Sequence, residues 1–293
     1  MNLNEYHLWT AVVTPFLDNG AVDFKSLSAI IEKQVAARNG LLILGSTGEA
    51  LNLNLSTRKL IVDHVVKMKP ASPIMVGVGG NLLDEQKEWI TYLESLNVDA
   101  YLLVTPHYSK PGPRGQFEWF KSLMDHSTRP CMLYNVPGRT AVALSIEAVS
   151  RLNRHKNFWA IKEASGSVIK FREYLDAAGG KDVYCGDDAL MPEFSEAGST
   201  GLVSVASNAW PSETHLYVDQ CLNKTLNARE LWARAANSLF VCSNPVPVKR
   251  LMFENGDISS PKMMEPLSQE DLVSIEPVMS AHEAVSAWFK KEI

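Results

Sequence analysis

Lys162 closes the apolar run Phe158-Trp159-Ala160-Ile161, and runs of this composition read as buried strands. An ammonium is not a nucleophile. Desolvation favours the neutral amine, which attacks ketones and aldehydes to give a Schiff base. A lone lysine at a strand end often only snorkels to solvent, but Lys162 has company. Five other strand-like segments also end in polar residues: Gly45-Ser46-Thr47-Gly48-Glu49, Thr105-Pro106-His107-Tyr108, Tyr134-Asn135-Val136-Pro137, Gly186-Asp187-Asp188 and Ser204 through Asn208. Polar residues gathered at one end of many parallel strands describe a barrel active site, with Lys162 as its nucleophile.

Strand parity sets the direction in which Lys162 points. Side chains alternate between faces, so Lys162 shares a face with Ala160 and Phe158, and Ile161 and Trp159 face the other side. Bulky Ile161 and Trp159 suit a helix layer, which turns Lys162 into the barrel. Tyr134 ends its own strand with Met132 on the same face. A Schiff base needs a group that moves protons, and both Tyr134 and Tyr108 qualify. The Ser46-Thr47-Gly48 loop offers hydroxyls and backbone N–H groups to a carboxylate. It is no Walker-type phosphate loop, because no lysine follows the glycine. Arg139, four residues after Asn135, suits forked carboxylate recognition at the barrel mouth. No metal is expected: the seven histidines never fall at ligand spacing, and Asp187-Asp188 has no nearby partner in sequence. His107 reads as a packed or interface histidine.

The elements that must position these groups recur along the chain. Strands are expected over 7–13, 41–45, 73–78, 100–105, 130–135, 158–162, 182–186 and 201–205. Helix-period segments lie between them, at intervals of roughly 20–33 residues that fit βα units. The first helix is the clearest: Leu27, Ile30, Ile31 and Val35 mark its apolar face, Asp23 caps it and Asn39-Gly40 stops it. Eight such units predict an α/β fold of the (β/α)₈ TIM-barrel type over residues 1–223. A doubly wound sheet is the rival, but its dinucleotide fingerprint is absent. Residues 224–293 read as a C-terminal helical extension, with helices at 228–242, 247–255 and 269 to about 290, the last capped by Ser268 with Asp271.

Composition narrows the classes. The chain has 293 residues, 46% hydrophobic and 21% charged, and a net charge of −5 that exerts no general pull on nucleic acid or anionic membranes. No segment approaches the ~20 apolar residues of a membrane helix, and Met1–Glu5 lacks the basic and apolar regions of a secretory leader. Four scattered cysteines without a CxxC pair read as buried thiols in a reducing cytoplasm.

Taken together, Gly45-Ser46-Thr47-Gly48-Glu49, Tyr134-Asn135-Val136-Pro137 and Ile161-Lys162-Glu163-Ala164 stand in the order and spacing of the dihydrodipicolinate synthase and N-acetylneuraminate lyase family. The resemblance extends over nearly the whole chain, through Gly186-Asp187-Asp188 and Asn244-Pro245-Val246-Pro247-Val248-Lys249. One departure, Thr57 where the family usually has Glu or Gln, concerns a helix surface. The resemblance implies that Lys162 forms the imine with pyruvate, with no other cofactor, and that Tyr134 moves protons at that centre. It further implies that Ser46 and Tyr108 complete a hydroxyl relay, with Tyr108 reaching into a neighbouring subunit of a homodimer or homotetramer. Thr47 would bind the pyruvate carboxylate, Arg139 the carboxylate of an incoming aldehyde, and Gly186 and Val203 would line the site.

The family divides by what meets the pyruvate enamine. The synthases condense it with aspartate 4-semialdehyde toward lysine, and the lyases cleave sialic or 2-keto-3-deoxy sugar acids. Arg139 favours the synthase, because its cation answers that substrate's carboxylate. Ser46-Thr47 is common in the lyases; the synthases usually have threonine at Ser46. A barrel kept only as a binding or regulatory protein should have lost the lysine, the tyrosine or the relay, and this chain has all of them. The lysine-binding cleft of feedback-sensitive synthases is only partly matched. Asn81 and Glu85 have counterparts, whereas Ala50, Leu55, Arg58 and His107 replace a serine, two histidines and a tyrosine, so weak or absent inhibition by lysine is expected.

Overall fold

The computed structural model describes residues 2–293. Eight parallel strands close into one barrel in chain order, as the βα rhythm predicts. In order they are β1 (Leu8–Ala11), β2 (Gly40–Ile43), β3 (Ile74–Val78), β4 (Ala100–Val104), β5 (Cys131–Asn135), β6 (Phe158–Glu163), β7 (Asp182–Cys185) and β8 (Gly201–Ser204). Each lies within its expected segment, except that β2 starts at Gly40 and β6 runs on to Glu163. The helices between them are α1 (Phe24–Ala36), α2 (Leu55–Met68), α3 (Leu83–Glu94), α4 (Pro113–His126), α5 (Pro137–Thr140), α6 (Ile146–Leu152), α7 (Val168–Ala177), α8 (Met191–Glu196) and α9 (Pro211–Leu222). Their starts follow local chemistry. The Asp23 carboxylate accepts the Ser26 N–H, Asn54 caps α2 through Thr57 N–H, and Ser145 and Ser167 cap α6 and α7.

Two apolar layers result. The outer one lies between strands and helices, and the inner one fills the barrel with Trp9, Leu42, Met75, Met132, Ala160 and Tyr184 among others. Parity assigns Ile161 outward and Ala160 inward, as expected, but fails lower on β6. Phe158 packs in the outer layer and Trp159 against the inner one, the reverse of the expectation. The cause is a register shift between Cys131 and Met132, where Cys131 pairs with Phe158 and Met132 already pairs with Ala160. An extra residue in one strand flips every side chain below it. Trp159 is thereby freed to meet Trp9 and Tyr184, with ring centroids 5.7 and 5.9 Å away, and closes the barrel floor.

After α9 come α10 (Arg229–Ser238), α11 (Val246–Glu254) and α12 (Glu276–Glu292). The expected helix from Gln269 is interrupted: residues 269–271 form a single 3₁₀ turn, and α12 begins only at Glu276. Ser268 accepts the Glu270 N–H and so caps the short turn, not α12. Pro277, in the first turn of α12, needs no N–H partner there. On α10, Trp232 stacks on Tyr217 of α9 at 4.2 Å and meets Trp288 of α12 edge-on at 5.3 Å. One apolar cluster therefore runs across the Asn223 boundary.

α11 makes the deepest polar contact with the barrel. Lys249, fully buried, donates from Nζ to Glu49 Oε1 at 2.8 Å and to the Lys262 carbonyl at 2.6 Å. Glu49 Oε2 accepts the Met264 N–H at 2.8 Å. Burial lowers the pKa of Lys249, and Glu49 opposes that shift. Breaking one side of a buried pair costs about 3–5 kcal/mol. Lys249→Met should therefore lower the urea midpoint by that equivalent at unchanged slope. A shift worth less than about 1 kcal/mol would mean that the pair is solvated.

Candidate active site

Lys162 and Tyr134 are register partners at the tops of β6 and β5. Both are buried, and Lys162 Nζ lies 4.4 Å from the centre of the Tyr134 ring. Lys162 joins none of the ion pairs among the described residues. The two buried lysines thus differ in kind: Lys249 has a carboxylate and Lys162 has none. Gly186, following β7, leaves room for the Lys162 stem, since a Cβ there would come within 2.9 Å of Lys162 Cε. Val203 of β8 lies in the inner apolar layer with Tyr134 and Ala160.

Tyr134 opens onto a cavity of about 260 Å³, whose wall also carries Ser46, Arg139, Thr140, Arg58 and His107. The loop after β2 is wound tightly, with the Gly48 N–H donating to Gly45 O and the Glu49 N–H to Ser46 O, both at 3.1 Å. The backbone N–H groups of Ser46 and Thr47 have no acceptor among the described residues. Adjacent free N–H groups of this kind form an anion-binding nest. The Thr47 hydroxyl, 2% exposed with its residue, accepts from Asn244 Nδ2 at 2.9 Å. The Asn244 carbonyl accepts from Arg139 Nη2 at 3.3 Å. Asn244, just ahead of α11, therefore touches both residues expected to meet carboxylates. Sequence reading did not single it out, although it opens the Asn244–Lys249 segment.

A second polar pair lies behind the first. Asn135 and Glu163 follow Tyr134 and Lys162 by one residue and so face outward, in register with each other. Asn135 Nδ2 donates to Glu163 Oε1 at 2.7 Å, and Asn135 Oδ1 accepts the Leu144 N–H at 2.8 Å, closing the loop that carries α5 and Arg139. Glu163 also accepts the Ser165 N–H. Burial raises the Glu163 pKa, and the charge of Asp187 adds to the rise. Two polar residues in succession at each strand end were the sequence signal for this clamp.

Other expected residues go elsewhere. Tyr108 is 89% exposed and does not line its own chain's cavity. Its backbone is left-handed (φ 63°) and its N–H donates to Thr140 O at 3.2 Å. Among the described residues, no three His, Cys, Asp or Glu side chains gather as metal ligands. Asp188 is occupied structurally, accepting from the Ser204 hydroxyl and from the N–H groups of Val205 and Ala206 at 3.0 and 3.3 Å.

A closed (β/α)₈ barrel holding a buried, unpaired lysine beside a tyrosine defines the class of lysine-centred barrel proteins. Residues 5–283 match the model of the dihydrodipicolinate synthetase family, and the chain belongs to that family. It is 42% identical over 284 residues to the 4-hydroxy-tetrahydrodipicolinate synthase of Francisella tularensis subsp. novicida, covering 96% of each chain. It is 41% identical over 282 residues to the synthase of Wolbachia pipientis wMel, again covering 96% of each. Among solved structures it resembles the chloride-inhibited dihydrodipicolinate synthase of Acinetobacter baumannii complexed with pyruvate. That match has a TM-score of 0.90 at 32% identity and covers 96% of this chain and 99% of the other.

The raised pKa of Glu163 has a sign. A carboxyl that holds its proton more tightly when folded contributes stability below its unfolded pKa and loses it as pH rises through the folded one. Glu163→Gln keeps an acceptor for Asn135 and Ser165 but removes that slope. Its stability deficit against the parent should therefore shrink as pH rises from about 4.5 toward neutrality, as read from urea unfolding across pH. A deficit that grows over that range would show that the carboxylate is the favoured form.

Proposed function

We propose that this protein condenses pyruvate with L-aspartate 4-semialdehyde, giving 4-hydroxy-tetrahydrodipicolinate, through an imine on Lys162. The observation that carries this reading is a buried lysine without a carboxylate partner, 4.4 Å from the ring centre of a tyrosine that opens onto a cavity shared with Arg139. Without a carboxylate partner, the Lys162 side chain is not committed to an ion pair and can present its nitrogen to a carbonyl. The amine attacks the pyruvate ketone, and water leaves as the Tyr134 hydroxyl moves the protons. Loss of a C3 proton gives the enamine, with the iminium as electron sink. C3 attacks the aldehyde carbon, and the alkoxide so formed takes up a proton. The substrate's own amine then adds to the imine carbon, closes the ring and releases Lys162.

The free N–H groups at Ser46 and Thr47 suit the pyruvate carboxylate, with the Thr47 hydroxyl held by Asn244. Arg139, tethered to the Asn244 carbonyl, suits the carboxylate of the aldehyde. That cation favours the synthase over a sugar-acid lyase, whose substrate needs partners for hydroxyls. Gly186 and Val203 complete the wall around the lysine. Ser46 and Tyr108 form the relay to solvent, with Tyr108 supplied to the site of a second copy. A left-handed backbone at an exposed tyrosine is costly unless its surroundings use it. The working unit is then a dimer or a tetramer of dimers. Among the described residues no helix is long and apolar enough to cross a membrane, and the four cysteines are unpaired, which supports a cytoplasmic setting.

Pyruvate with borohydride should modify Lys162 alone, as found by intact mass and peptide mapping, and a chelator should leave turnover unchanged. Trapping at another lysine, or none, would remove the mechanism. Arg139→Ala should form the same adduct yet lose at least about tenfold in kcat/KM for the semialdehyde, since a charge-assisted hydrogen bond contributes about 1.5–3 kcal/mol. Normal turnover would mean that the aldehyde's carboxylate is bound elsewhere.

Tyr108→Phe should slow turnover, and activity should follow the dimer on dilution. A monomer with full activity in sedimentation and assay at one concentration contradicts the shared site.

A further inference from the structure

The loop after β2 is bent at both ends in a way that side chains resist. Leu44 and Glu49, which bracket the stretch from Gly45 to Gly48, both have left-handed backbone, with φ of 58° and 56°. Neither is glycine, and a β-carbon makes that region costly unless surrounding contacts impose it. At the Leu44 end the neighbouring strand yields: a Cβ at Gly77 of β3 would run into the Leu44 carbonyl. At the Glu49 end an ion pair holds the turn. The Glu49 carboxylate accepts from Lys249 Nζ and from the Met264 N–H, both at 2.8 Å, and neither side chain of the pair is exposed. Lys249 completes its contacts at the Lys262 carbonyl and over the face of Phe16, 4.4 Å from the ring centre. Between the two ends, the Thr14 hydroxyl donates to the Gly48 carbonyl at 2.8 Å.

This winding leaves the N–H groups of Ser46 and Thr47 adjacent and without acceptors among the described residues, which is the arrangement an anion needs. The Glu49 N–H closes the turn onto the Ser46 carbonyl at 3.1 Å, so a change of backbone at Glu49 is passed to the Ser46–Thr47 peptide. We propose that Lys249 and Glu49 are positioning residues for pyruvate: their ion pair keeps Glu49 left-handed and thereby holds the Ser46 and Thr47 N–H groups in place for the pyruvate carboxylate. Neither side chain lines the cavity, so both act through the loop. The inference rests on the reading of that loop as the pyruvate carboxylate site. It separates binding from chemistry, because Lys162 and Tyr134 stand on β6 and β5 and owe nothing to the β2 loop.

Borohydride trapping of the pyruvate adduct on Lys162, followed by intact mass against pyruvate concentration, gives a half-saturation with no semialdehyde present. Lys249→Met should raise that half-saturation at least about tenfold, as expected when charge-assisted hydrogen bonds lose their geometry. The trapping rate at saturating pyruvate should stay close to the parent's. The double variant Glu49→Gln/Lys249→Met removes both buried charges and should regain most of the urea midpoint lost in Lys249→Met. Its half-saturation should stay raised, because the tie between loop and α11 is still missing. Recovery of the half-saturation along with stability would show that the pair only stabilises the fold, and would overturn the proposal. An unchanged half-saturation in Lys249→Met would do the same. If Lys249→Met does not fold by circular dichroism, the double variant decides, a parental half-saturation overturning the positioning role. Adduct formation with parental half-saturation in the variants removes that role alone; a parent that traps no adduct removes the condensation reading and the positioning role with it.

Discussion

Burying a lysine and a glutamate together is tolerated only when the two charges are paired and further hydrogen bonds support them, and Glu49 with Lys249 meets that condition. Lys249 reaches the Lys262 carbonyl as well as Glu49, and Glu49 takes the Met264 N–H. The pair joins the loop after β2 to α11 and to the strand-free segment beyond it. Asn244, two residues ahead of α11, is thereby carried to the barrel mouth, against Thr47 and Arg139. The C-terminal helices are thus part of the site's construction. They hold the loop after β2, through Lys249 to Glu49 and Asn244 to Thr47, beside the cavity that Ser46 lines.

The same rule of compensation separates the two buried lysines. A carboxylate at Lys249 keeps the ammonium and makes the residue structural. Lys162 has no such partner, so its side chain is not tied into an ion pair. Chemistry is proposed at the uncompensated one.

Precision at Lys162 comes from two layers of contact. The inward pair Tyr134–Lys162 and the outward pair Asn135–Glu163 occupy adjacent steps of one β5–β6 ladder. The outward pair fixes the strands and the loop bearing Arg139 while staying out of the cavity. The register shift lower on β6 does separate work, turning Trp159 inward to close the floor with Trp9 and Tyr184.

Much of this is legible in the chain alone. Period-two and period-3.6 hydrophobic patterns, with Asp23 at the first helix start, determine eight strands and the helices between them, because local backbone preference and one-sided burial act over a few residues. Lys162 and Tyr134 are visible as polar residues at strand tops, and parity correctly turns them inward. Parity misplaces Phe158 and Trp159, since a bulge depends on the partner strand and leaves no mark in composition. It is silent on Glu49–Lys249 and Asn244–Thr47, whose partners lie 200 and 197 residues apart. Which lysine is paired and which is left free depends on distances between groups remote in sequence. Electrostatic compensation is a property of three-dimensional neighbours, so only the folded chain decides it.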